Sequence, residues 1–249
     1  MQLTKKQIER YSRQIILKDI GPIGQKKLSN SSVLVVGAGG LGSPILMYLA
    51  GAGVGKIGIV DHDKVHISNL HRQILFDTSS IKKDKSKIAS LKIKKINPDI
   101  NINYFKTKLL KKNINKIASN FDILIDGSDN FKTKFLLNDY CFKKKKILIV
   151  GAINKFDGQI ITFNFKKKNS PCLRCFYQGN PSDDLLNCEM DGVIGPVAGI
   201  TGSIQANEAI KEILKIGKSL CGYILIINTL SLDFRKIILN KKEKCKCNC

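Results

Sequence analysis

The stretch Val33-Leu34-Val35-Val36-Gly37-Ala38-Gly39-Gly40-Leu41-Gly42 runs from a purely apolar segment into a glycine-rich turn. A helical segment follows, and then Ile57-Gly58-Ile59-Val60-Asp61, a second apolar run that ends in an acid. Strand, glycine turn, helix and strand make a nucleotide-binding βαβ unit. Glycines let the backbone turn tightly and approach a phosphate, and the helix start offers unpaired N–H groups to that anion. Asp61 is placed to accept hydrogen bonds from ribose hydroxyls. Taken alone, this fingerprint points to NAD or FAD. The next loop, Asn69-Leu70-His71-Arg72-Gln73, and two cysteine clusters far downstream redirect the reading, because a plain dehydrogenase needs neither.

A chain of 249 residues is long enough for one large α/β domain with a buried sheet. The opening Met1-Gln2-Leu3-Thr4-Lys5-Lys6 is polar, and no apolar run approaches the roughly 18 residues of a spanning helix. A soluble, cytoplasmic protein without membrane partners is expected. Of its 8 cysteines, five fall in Cys172-Leu173-Arg174-Cys175 and Cys245-Lys246-Cys247-Asn248-Cys249, a clustering that favours metal over disulfide and hence a reducing compartment.

The formal charge of +22 invites a nucleic-acid reading. The cations are nearly all Lys, however, spread over every segment, and no aromatic residues interleave with them as a stacking platform requires. They read as solvated faces, with no nucleic-acid partner. Against that background the scarce arginines, Arg10, Arg13, Arg72, Arg174 and Arg235, mark positions that need a planar fork for phosphate or carboxylate.

Along the chain, an opening helix from Thr4 to Arg10 leads to a connector, Gly21-Pro22-Ile23-Gly24, and a first strand at Ser32 to Val36. A helix follows from Gly42 to about Gly53. Ala89, Ile93 and Ile96 recur at helical spacing between Lys85 and Asn97, with Pro98 as a stop. Phe121 to Asp126 and Ile147 to Val150 are continuous apolar runs, as buried parallel strands are. After Gly151 the pattern alternates in Gln159 to Phe165, Tyr223 to Asn228 and Phe234 to Leu239, which predicts antiparallel strands. The fold class is therefore α/β, Rossmann-like, with a mixed sheet. One domain is expected over residues 1–249: an N-terminal helical segment to residue 30, a nucleotide-binding half over 31–151 and a second half over 152–249.

In order, the chain carries Arg10-Tyr11-Ser12-Arg13-Gln14, Gly37 to Gly42, Asp61-His62-Asp63, Asn69 to Gln73, Asp126-Gly127-Ser128-Asp129-Asn130, Cys172-x-x-Cys175 and Gly195-Pro196. With this series it resembles the MoeB/ThiF/HesA family, the bacterial relatives of ubiquitin-activating enzymes, over nearly its whole length. The resemblance implies adenylation of the C-terminal glycine of a small ubiquitin-like sulfur carrier ending in Gly-Gly, with ATP consumed and pyrophosphate released. Thiamine and molybdopterin carriers fit equally. A carboxylate must attack a phosphate although both are anionic, so the site needs cations, a metal and backbone donors more than a general base.

Residue by residue, the resemblance makes Arg72 and Lys85 clamps on the phosphates, and Asn69 and Gln73 neutral donors to phosphate oxygens. Asp129 is the magnesium-associated aspartate and Asp61 the ribose acceptor, with Gly37, Gly39, Gly40 and Gly42 forming the nucleotide turn. Lys85 has neighbours Lys82, Lys83 and Lys87 that compete for its assignment. Arg13 matches an arginine donated in trans across a homodimer interface. His62, His66 and His71 are given no catalytic role.

Cys172 and Cys175 have the spacing of half a structural zinc site. The family closes this site with a second Cys-x-x-Cys, whereas this chain offers Cys245, Cys247 and Cys249. Cys245 is matched by its distance from Arg235, with Cys249, or Cys247 in its place, as fourth ligand. Cys188 aligns with a cysteine that forms a covalent link to the carrier in some members of the family. Sulfur is expected from a separate donor such as a cysteine desulfurase. Two other readings stay open from the residues: a NAD- or FAD-dependent oxidoreductase, and a nonenzymatic zinc-stabilised binding module.

Overall fold

The structure, a computed structural model, describes residues 3–177, 192–242 and 245. Three short helices open the chain, α1 (Lys5–Arg10), α2 (Ser12–Ile15) and α3 (Gly21–Ser29). Thr4 caps α1 in a reciprocal capping box with Gln7, which satisfies orphan N–H groups at the helix start. The segment read as a connector, Gly21 to Gly24, instead forms the first turn of α3. Pro22 sits in that first turn, where its missing N–H costs nothing.

The βαβ unit follows as β1 (Ser32–Val36), α4 (Gly42–Ala52) and β2 (Lys56–Val60). Then come α5 (Lys85–Ile96), β3 (Asn101–Phe105), α6 (Ile114–Ala118), β4 (Ile123–Asp126), α7 (Phe131–Lys143) and β5 (Ile147–Asn154). The second half supplies β6 (Asp157–Asn164), α8 (Leu173–Phe176), α9 (Gly195–Leu214), β7 (Tyr223–Asn228) and β8 (Asp233–Ile238).

Among the described residues, eight strands share one sheet, in the order β3-β2-β1-β4-β5-β6-β7-β8. Pairing is parallel from β3 to β5 and antiparallel from β5 to β8. The expected mixed sheet is thus present. Strand β3, which the sequence reading missed, adds an edge to it; its residues are mostly exposed and polar, so no apolar run announces it.

Successive strand residues point to opposite faces, and both faces are covered. Val33 and Val35 pack with Ile45 and Leu49 of α4, Ile93 of α5 and Ala209 of α9. Leu34 and Val36 pack on the other side with Ile117 of α6, Phe131 and Phe135 of α7 and the buried Cys172 and Cys175. Each such fully buried Leu or Ile contributes roughly 1.5–3 kcal/mol relative to exposure, which is why β1 is continuously apolar. Among the described residues, no helix is long and apolar enough to cross a membrane.

Strands β1 and β4 are neighbours, yet the chain leaves β1 toward α4 on one face and leaves β4 toward α7 on the other. Connections that diverge in this way open a crevice at the carboxyl ends of the strands, the usual ligand position in such sheets.

Candidate active site

A cavity of about 510 Å³ occupies that crevice. Its floor is the glycine turn. The Gly37 N–H donates to the Val60 carbonyl at 2.8 Å, and Gly37 takes φ +93°, a conformation that L side chains avoid. Gly39 and Gly40 line the cavity, as expected. Gly42 does not: it is buried one turn behind, where an added Cβ would lie 2.0 Å from the Gly37 carbonyl oxygen. A side chain is excluded there by the close approach of the helix start to the turn at Gly37.

Asp61, one residue past β2, lines the cavity with both carboxylate oxygens engaged. Oδ2 accepts the Ala38 N–H at 2.8 Å and Oδ1 accepts the Asp63 N–H at 2.8 Å. Each oxygen retains a lone pair for a ribose hydroxyl. Burial pushes the Asp61 pKa above the usual carboxylate value, and the two backbone N–H groups and Lys85 oppose that shift only in part. The acid therefore both fastens the end of β2 to the turn after β1 and faces the cavity.

Lys85 opens α5 and is buried, with Nζ 3.4 Å from Asp63 Oδ2. Of the lysines around it, only Lys85 lines the cavity; Lys82, Lys83 and Lys87 do not. Asn69, in a short 3-10 turn (Ile67–Asn69), is buried and accepts the His66 N–H through Oδ1 at 3.2 Å. Gln73 is also buried at the cavity wall, and its Oε1 is an acceptor without a hydrogen-bond partner. Arg72 lies in the same wall, with Nη1 donating to the Ser68 carbonyl at 3.0 Å and touching His71 Nε2 at 2.8 Å. Asp129 lines the cavity and is exposed, and its Oδ1 accepts from Asn130 Nδ2 at 3.3 Å.

The fold thus brings Asp61, Asn69, Arg72, Gln73, Lys85 and Asp129 to one cavity from four separate chain segments. Carboxylates and cations line the cavity together, so it can hold a polyanion with a metal ion. Asp61, His62 and Asp63 also place ligand atoms within 4.8 Å of one another. The Lys85 ammonium stands against Asp63, however, and supplies a positive charge at that spot without a metal.

Among the cavity residues that the sequence does not single out is a buried lysine. Lys134 of α7 is 2 % exposed, and its Nζ donates to Asp126 Oδ2 at 2.7 Å, the Ser128 carbonyl at 2.8 Å and the Gly151 carbonyl at 2.6 Å. In a lysine-rich chain a single buried lysine has no compositional signal. Its burial between Thr133 and Phe135 on α7 is what sets it apart.

Arg13 does not line the cavity of its own chain. It is exposed on α2, while its motif neighbours are anchored inward. The buried Tyr11 hydroxyl accepts from Asn97 Nδ2 at 2.7 Å, and Gln14 Nε2 donates to Gln25 Oε1 at 2.6 Å. Ile16, Leu17 and Ile23 nearby are exposed by 70 %, 54 % and 74 %.

On the far face of the sheet, Cys172, Cys175 and Cys245 are buried together. Cys172 Sγ lies 3.9 Å from Cys175 Sγ and 3.4 Å from Cys245 Sγ. Thiolates ~2.3 Å from a tetrahedral zinc are about 3.8 Å apart, so the three sulfurs fit one ion. Cys247 and Cys249, the expected fourth ligands, lie outside the described residues, as does Cys188. Cys141 is also buried, and burial raises its pKa, which leaves it an inert core thiol.

The ThiF family model matches residues 11–249. A sulfur carrier protein adenylyltransferase of Thermus thermophilus is 39% identical, with 98% of this chain and 92% of that protein covered. A probable molybdopterin-synthase adenylyltransferase of Porphyra purpurea is 46% identical, covering 91% of this chain and 59% of the relative. An adenylyltransferase and sulfurtransferase MOCS3 of Drosophila yakuba is 43% identical, covering 98% of this chain but only 54% of the relative. The chain therefore spans little more than half the length of those last two. Among solved structures, E. coli MccB crystallised with ATP superposes with a TM-score of 0.83 at 21% identity, over 96% of this chain and 73% of that one, a likeness of fold.

Proposed function

The chain belongs to the ThiF family, and from that premise we propose that it adenylates the C-terminal glycine of a small ubiquitin-like sulfur-carrier protein. ATP is consumed and pyrophosphate released, in the biosynthesis of thiamine or molybdopterin cofactor. The observation that carries this reading is the convergence of Asp61, Asn69, Arg72, Gln73, Lys85 and Asp129 on one cavity at the β1/β4 crevice. An oxidoreductase uses the glycine turn and Asp61 but has no work for Arg72, Lys85 and Asp129. The names of the relatives point the same way.

In the reaction, a carboxylate oxygen of the carrier glycine attacks the α-phosphorus of ATP. The bond from that phosphorus to the bridging oxygen of the β-phosphate breaks, and pyrophosphate leaves with the electron pair. The product is a mixed anhydride of the carrier and AMP. Asp61 holds the ribose, Gln73 and Asn69 hold phosphate oxygens, and Lys85 and Arg72 offset the charge that accumulates where two anions meet. Asp129 would hold a magnesium ion, which would supply further charge neutralisation. No side chain need act as a base, because the attacking carboxylate is already ionised.

Three further elements belong to the proposal. A structural zinc is held by Cys172, Cys175, Cys245 and one of Cys247 and Cys249, tying the C-terminal tail to the sheet. The enzyme is a homodimer in which Arg13 reaches the partner's cavity; its exposure, its absence from its own cavity and the apolar Ile16, Leu17 and Ile23 around it support this. Sulfur is delivered to the adenylate by a separate donor. The adenylation step is tested by incubating the protein with ATP, magnesium and a carrier ending in Gly-Gly, and weighing the intact carrier. Carrier carrying one added AMP supports the reading, and carrier unchanged in mass with both the thiamine and the molybdopterin carriers contradicts it.

A further inference from the structure

We propose that Lys134 is a positioning residue for adenylation, its buried ammonium fixing the peptide from which Asp129 projects into the cavity. The inference rests on the placement of magnesium at Asp129 proposed above. All three N–H donors of Lys134 are used, on three different pieces of backbone or side chain: the end of β4 through Asp126, the following loop through the Ser128 carbonyl, and β5 through the Gly151 carbonyl. Asp126, fully buried, holds the same loop residue from the other side, with Oδ1 accepting the Ser128 N–H at 3.0 Å and the Ser128 hydroxyl at 2.6 Å. Ser128 is therefore gripped at its N–H, its hydroxyl and its carbonyl by one buried ion pair.

The Ser128 carbonyl and the Asp129 N–H belong to the same planar peptide. Fixing one fixes the other, and with it the direction in which the exposed Asp129 side chain leaves the backbone. A buried ion pair is weak evidence for stability, since apolar residues of similar volume often serve as well. Here its geometry singles out the one loop that carries a proposed metal-associated carboxylate. Gln205 Nε2 adds a bond to the Asp126 main-chain carbonyl at 2.9 Å, so the base of the loop is held from α9 as well.

The test uses manganese as the probe metal and the full-length protein. Lys134→Met leaves the Asp126 charge buried and unpaired, so the informative variant is the neutral pair Asp126→Asn/Lys134→Met, accompanied by Ser128→Ala, which alters no buried charge. For each folded variant, metal-free ATP binding and manganese-dependent ATP binding are measured by calorimetry, and pyrophosphate exchange is titrated with manganese. Loss of an outer contact that orients a metal-associated group costs about 10–100-fold in metal affinity. The expected result is a rise of that size in half-saturating manganese for the neutral pair and a smaller rise for Ser128→Ala, with metal-free ATP binding unchanged. Lys134→Arg, which keeps a charged donor, is expected to recover most of the loss. Unchanged manganese dependence in the neutral pair, or in Lys134→Gln should the pair not fold, overturns the proposal. Asp129→Ala run in parallel separates this failure from failure of the underlying reading, which shows as no manganese effect there either.

Discussion

Asp61 Oδ2 accepts the Ala38 N–H at 2.8 Å, so the acid at the end of β2 holds the glycine turn that follows β1. The proposed sugar acceptor and the proposed phosphate turn are thereby built as one unit. Burial raises the Asp61 pKa, so its carboxyl protonates at a higher pH than an ordinary aspartate. As pH falls through that raised value, the carboxyl loses acceptor capacity and ATP binding weakens. The stability effect has the opposite sign: burial disfavours the charged form, so this group's contribution to folding declines as pH rises through the folded-state pKa. ATP affinity measured across acidic pH should show an acid limb in the wild type that Asp61→Asn lacks. An identical limb in both assigns the titration to another group.

Arg72 and Lys85 stand in the wall of the same cavity, whereas Lys87, two residues beyond Lys85, is exposed outside it. Arg72→Ala and Lys85→Ala are each expected to lower the rate of carrier adenylation on the order of 100-fold or more, as loss of one charge-stabilising contact does. Lys87→Ala should stay near the wild-type rate. Equal losses in Lys85→Ala and Lys87→Ala, measured by pyrophosphate release, would show that general positive charge matters and the cavity position does not.

The parallel half of the sheet was legible because buried strands must be continuously apolar and the glycine turn has a fixed grammar. Strand β3 was not, because an edge strand with Asn101, Asn103 and Tyr104 toward solvent carries no apolar run. Gly21-Pro22 reads equally as a turn or as a helix start, and only the packing of Leu28 against the core decides for the helix. In the site, the ordered motifs contain many of the residues that face the cavity, but Gly42 shares their spacing while standing behind the turn, against the Gly37 carbonyl. Lys134 was hidden for the reverse reason: its charge type is everywhere in the chain, and only burial distinguishes it.

The sulfur separations of 3.9 and 3.4 Å around Cys172 suit a single tetrahedral ion. The purified protein should contain about one zinc per chain, as a closed thiolate site holds one ion. Cys172→Ser should lose the metal and lower the thermal midpoint, while ATP binding by the fraction that remains folded is kept. Metal analysis of well-folded wild-type protein that finds no zinc removes the assignment.

Arg13 does not line its own chain's cavity, so a trans role makes a specific demand on mixing. Arg13→Ala and Arg72→Ala homodimers should each be inactive. After subunit exchange, a two-fold heterodimer holds one cavity with both defects and one with neither. Adenylation should therefore reappear on mixing. Full activity of Arg13→Ala alone, or no recovery despite demonstrated exchange, places the arginine in cis or outside the reaction.

The central proposition, that this cavity joins a carrier's terminal carboxylate to AMP, is tested most directly by carrier-dependent exchange of labelled pyrophosphate into ATP. With a carrier ending in Gly-Gly, exchange should be rapid, require the terminal glycine and fall away when that glycine is deleted. Exchange that is absent with every such carrier, or that proceeds equally with the glycine removed, would contradict the account.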